Sequence, residues 1–98
     1  MNKMLFANKI RTLREQNGML QRKVAAALDM DAGLYSKIER GERPAKREQV
    51  INLASILNID EKELLTLWLA DQIKKITDTN NDVAKEAINI IAKQRCLQ

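Results

Sequence analysis

The stretch QRKVAAALDMDAGLYSKIERG, Gln21 to Gly41, decides how this chain folds. Apolar residues recur at helical spacing on both sides of the polar triplet Asp29-Met30-Asp31, so the segment predicts two short helices joined by a tight turn. Asp31 stands where an N-cap is needed, and Gly41 ends the second helix. Val24, Ala25, Leu28, Met30, Tyr35 and Ile38 are buried together only if the second helix crosses the first. That crossing leaves the outer face of the second helix free to enter a groove.

Working outward, the rest of the chain also reads as helix. Helix 1 is expected over Met4 to Asn17, with Phe6, Ile10 and Leu13 on one face and Gly18 as its stop. Helices 2 and 3 cover Gln21–Leu28 and Ala32–Arg40. Helix 4 follows the single proline, Pro44, and runs to about Leu57, burying Val50, Leu53, Ala54 and Leu57. Asp60 caps helix 5, Glu61 to about Ile76, and after Asp78-Thr79-Asn80-Asn81 a last helix runs from Asp82 to about Arg95. No segment alternates with period two. The two-helix unit is the helix-turn-helix arrangement, which lays its second helix in the major groove of DNA.

Bulk properties agree. Ninety-eight residues make one small domain, too little for a large buried active site. Residues 1–59 carry eleven Lys/Arg against six Asp/Glu, whereas residues 60–98 carry six against seven, so the basic charge sits with the crossed helices. No run is long enough to span a bilayer and no secretion signal is evident. One cysteine, Cys96, makes no internal disulfide, and a reducing cytoplasm is the expected setting. The chain has no histidine, no Gly-rich phosphate loop and no Ser/His/Asp set. Neither catalysis nor a metal, cofactor or small-molecule ligand is expected.

IRTLREQNG (Ile10–Gly18), VAAALDMD (Val24–Asp31) and LYSKIERGE (Leu34–Glu42), in this order and spacing, resemble the Cro/repressor-type (XRE-like) helix-turn-helix family. The resemblance covers about residues 4–67. The length and the added last helix resemble, more weakly, the longer controller proteins of restriction–modification systems. The fold it implies is all-α: a five-helix lambda-repressor-like domain with an extended fifth helix and an additional C-terminal helix. The expected division is a DNA-binding domain at 1–67 and a C-terminal extension at 68–98.

The resemblance also implies roles. An ion pair between Arg14 and Glu39 would hold helix 3 on helix 1; two exposed charges are the alternative. Gln21, with Arg22 beside it, would meet a phosphate. Base edges would be read from Ala32, Gly33, Ser36 and Lys37. The chain departs from the family at Ala32 and Gly33, which neither donate nor accept, so readout leans on Lys37, Ser36 and apolar contact by Leu34 or Ala32 with a thymine methyl. Tyr35 falls where the family buries Ile or Val, so a core role with its hydroxyl at the edge is expected.

Arg40, Arg43, Lys46 and Arg47 cluster from the end of helix 3 to the first turn of helix 4, where no Ser, Thr, Asp or Asn caps the helix. A basic, uncapped start invites an outside anion, and a DNA phosphate fits, with Arg43 a candidate for the minor groove. Leu65, Trp68, Leu69, Ile73 and Ile76, with Ile88 and Ile91 on the last helix, are more apolar surface than one small chain can cover. A homodimer is expected, with helix 6 either crossing to the partner or folding back on its own helix 5.

The function these readings point to is a dimeric, self-regulating transcription regulator on a two-fold operator, with RNA polymerase a further candidate partner. An antitoxin-type protein whose tail binds another protein is the alternative.

Overall fold

A computed structural model of the protein describes residues 4–96, and these form six α-helices with no strand. They are α1 (Leu5–Gln16), α2 (Gln21–Ala27), α3 (Ala32–Glu39), α4 (Arg47–Ile56), α5 (Glu61–Asp78) and α6 (Ala84–Cys96). The all-α expectation holds, and each helix falls within a few residues of its expected span. None of these helices is long and apolar enough to cross a membrane.

Four of the helices end in the same way. Past α1, α2, α3 and α4 the chain enters the left-handed region at Gly18, Asp29, Gly41 and Asn58. The next residue's amide then reaches back to a carbonyl of the last turn: Met19 to Arg14, Met30 to Ala25, Glu42 to Lys37, Ile59 to Ala54. This Schellman closure satisfies carbonyls that a helix end otherwise leaves open. Asp31 and Asp60 cap α3 and α5, accepting from the amides of Leu34 and Glu63.

The core is built from Phe6 and Ile10 of α1, Val24 and Ala25 of α2, Tyr35 and Ile38 of α3, Val50 and Leu53 of α4, and Leu64 of α5. Tyr35 is wholly enclosed, so its hydroxyl is not at an edge as the sequence reading had it. The Oη lies close enough to Glu39 for that charge, after burial itself, to push the phenol's pKa up, yet it has no hydrogen-bond partner.

Asp71 was not singled out by the sequence reading, and it does structural work. The side chain is 4% exposed, and its two oxygens accept the amides of Leu5 and Phe6 at 2.8 Å each. Met4, the residue at the head of α1, offers no capping side chain. The cap therefore comes from α5, 65 residues along the chain. A carboxylate on first-turn amides satisfies orphan donors and complements the helix dipole.

α5 runs unbroken through the 67/68 boundary, and beyond it Trp68 packs on the core while Asp71 bonds the start of α1. α6 behaves differently. It buries no residue, and Ile88, Ile90 and Ile91 are 46%, 59% and 56% exposed. The fold-back alternative is thereby overturned: α6 does not bury its apolar stripe on α5 of the same chain. The radius of gyration, 15.2 Å, exceeds the roughly 13 Å of a compact chain of this length.

Candidate nucleic-acid interface

α3 lies across α2 with one side buried and the other open. Tyr35, Ile38 and Glu39 face inward, while Ala32, Gly33, Lys37 and Arg40 are exposed and Leu34 and Ser36 are half-buried at the margin. The residues expected to read bases thus lie on the outer side and rim of a single helix. Gly33 has a local reason as well. A Cβ there would stand 2.9 Å from Asp31 Oδ2, the carboxylate that caps α3, so a side chain would press on the cap.

Beneath α3 sits the ion pair that fixes its position. Arg14 donates from Nε and Nη2 to the two Glu39 oxygens at 2.9 and 2.8 Å, and from Nη1 to the Met19 carbonyl at 2.8 Å. One guanidinium thereby joins α1, the α1–α2 turn and α3. The Glu39 side chain is 2% exposed and that of Arg14 13%. Burial alone would raise the Glu39 pKa, but the bonds from Arg14 and Gln21, with the Tyr35 hydroxyl nearby, outweigh it and hold the carboxyl below its ordinary range. Arg14 is raised in turn, chiefly by its bond to Glu39.

Gln21 belongs to this group. Its amide nitrogen donates to Glu39 Oε1 at 3.0 Å, so in the free protein the side chain points into the ion pair rather than outward to a phosphate. Arg22 beside it is exposed. Arg40, just past the end of α3, is also engaged: Nε donates to Glu42 at 2.7 Å and Nη1 to Ser36 Oγ at 2.6 Å. Fully exposed pairs of this kind contribute little, so a phosphate displaces Glu42 at small cost.

The start of α4 differs from its expected form. Lys46 is the N-cap rather than part of the first turn, and its amide donates to Gln49 Oε1 at 2.8 Å. Glu48 stands in the first turn and complements the dipole. This end is therefore neither wholly uncapped nor wholly basic, because Gln49 reaches back in the manner of half a capping box. Arg43, Lys46 and Arg47 remain exposed around it.

Trp68, one of the residues expected at a subunit interface, packs in part on the chain's own core, and its indole N–H donates to the Ala45 carbonyl at 2.8 Å. Leu65 also lies against that core in part. An indole needs both an apolar bed and an acceptor, and the buried Ala45 supplies the second. The apolar residues of α5 left open are Leu69, Ile73 and Ile76, at 51%, 48% and 65% exposure.

The family model for a helix-turn-helix domain matches residues 5–67. The chain belongs to the helix-turn-helix domain family. The match covers α1 to α4 and the first turns of α5, the part that holds the crossed helices, the buried ion pair and the basic loop. No curated protein and no solved structure matches the chain. A helix-turn-helix domain is a DNA-binding module, and α3 occupies the place of its recognition helix.

Proposed function

We propose that the chain is a homodimeric transcription regulator that reads a two-fold symmetric operator, one α3 per half-site. The observation that carries this is the two-sidedness of α3, whose inner residues are locked into the core while Ala32, Gly33 and Lys37 are open. On this reading Lys37 donates to guanine, Ser36 bonds either partner, and Ala32 or Leu34 meets a thymine methyl. Arg22, Arg40, Arg43, Lys46 and Arg47 hold the backbone on either side. With so few donors on α3, DNA shape supplies part of the preference. Resemblance to phage repressors and controller proteins extends the proposal to self-regulation and to restriction–modification genes.

Selection of bound sites from random duplexes tests it. The expected product is an inverted repeat whose half-site centres lie about 34–36 Å, or a longer multiple, apart. A pool with no enriched motif at low ionic strength would overturn the reading.

The dimer rests on the uncovered faces of α5 and α6. Leu69, Ile73 and Ile76 on α5 and Ile88 and Ile91 on α6 form apolar stripes that nothing in one chain buries. Light scattering should show a dimer for the full chain and a monomer for Ile73→Asp. Ile88→Asp with Ile91→Asp should weaken the dimer at least tenfold. A full chain that is monomeric at high concentration would instead favour the reading in which α6 serves a different protein, as in an antitoxin.

A further inference from the structure

α3 and α4 are joined by a loop that carries Arg43 and Lys46 and turns at Gly41. Much of it is exposed, but Ala45 is 6% exposed and faces the body of the protein. Between its exposed part and the body lies a solvent-open pocket of about 70 Å³, bordered by Phe6, Ile38, Arg43, Pro44 and Trp68 among others. Around Arg43 and Pro44 the loop is thus not backed by close packing, and directional contacts carry more of its conformation there than they would in a filled core.

The bond from Trp68 Nε1 to the Ala45 carbonyl, 2.8 Å long, is such a contact. Its donor is itself well anchored. The indole packs on the core, and three residues further along α5 Asp71 grips the first amides of α1. Helix, indole and loop therefore form one rigid link from α1 to the residues just before α4.

We propose that Trp68 is a positioning residue for DNA binding: its indole N–H holds Ala45 so that Arg43 and Lys46 are presented to the phosphate backbone already ordered. The proposal rests on the reading of this loop as a backbone clamp. A loop ordered in advance does not lose its conformational freedom on binding, and the difference appears as affinity.

Trp68→Phe keeps most of the ring's bulk and removes the donor. It should melt cooperatively and keep the wild-type sequence preference. It should bind every duplex about three- to tenfold more weakly with the wild-type salt slope, because the same phosphate contacts form once the loop has been ordered. A purely structural role would lower the melting temperature without changing the affinity of the folded protein. The triple variant Arg43→Ala, Lys46→Ala, Arg47→Ala separates the two layers. If the triple variant is impaired and Trp68→Phe binds with the wild-type affinity, the tether is overturned and the clamp stands. If the triple variant binds as wild type, the clamp reading fails and the tether with it.

A second measurement needs no variant. Trp68 is the one tryptophan of the chain, so its indole proton is a single NMR resonance. It should already be protected from exchange with solvent in the free protein, and an indole proton that exchanges as fast as an exposed one overturns the proposal.

Discussion

Glu39→Ala should cost about 3–5 kcal/mol of folding stability, the scale for breaking a buried ion pair from one side. The reason lies in what is left behind. Arg14 would keep only the Met19 carbonyl as its named partner, and Gln21 would lose its acceptor. Against a typical total of about 5–15 kcal/mol, such a loss leaves a marginal or unfolded protein. Urea unfolding followed by circular dichroism measures it. Arg14→Lys should not rescue the pair, since an ammonium lacks the fork that reaches both Glu39 oxygens and Met19.

Acid provides an independent check with a definite sign. Because Glu39 titrates below its ordinary value near 4.5 in the folded protein, its contribution is complete above that value. It is lost as pH falls through the lower folded value. Wild type should therefore lose its advantage over Glu39→Gln on acidification. An advantage that stays constant down to pH 3 would show that the ionised pair adds nothing.

Binding should respond most to the basic cluster. Removing Arg43, Lys46 and Arg47 together should weaken binding to all duplexes by roughly a hundredfold at 0.15 M salt, with a slope smaller by about 2–3. Each phosphate contact contributes about 0.9 to that slope, so three contacts predict both figures. Lys37→Ala is the contrast. It should cost about 1–3 kcal/mol at one base pair and relax preference there. Titrations on matched and mismatched duplexes at several salt concentrations separate the two behaviours. A triple variant with an unchanged slope would remove these residues from the interface.

The helices were legible because their signals are local. Apolar spacing, the caps Asp31 and Asp60, and the stops Gly18 and Gly41 each act within a turn or two of chain. Asp29 and Asn58 do a glycine's work at the ends of α2 and α4, and composition gave weaker notice of them because only some Asp and Asn residues take that conformation. The resemblance located the Arg14–Glu39 pair, whose members are 25 residues apart.

Periodicity along the chain suffices for the six helices and the outward row of α3, since each depends on neighbours a few positions away. It is blind to which distant group meets a given side chain. Asp71, which nothing in its local sequence marks out, is the cap of α1. Trp68, expected at an interface, also holds Ala45 of its own chain. Gln21, expected before a phosphate, also donates to Glu39. Each of these partners was chosen by how the packed helices bring remote donors and acceptors within 3 Å or so, and hydrogen bonds act only over that range.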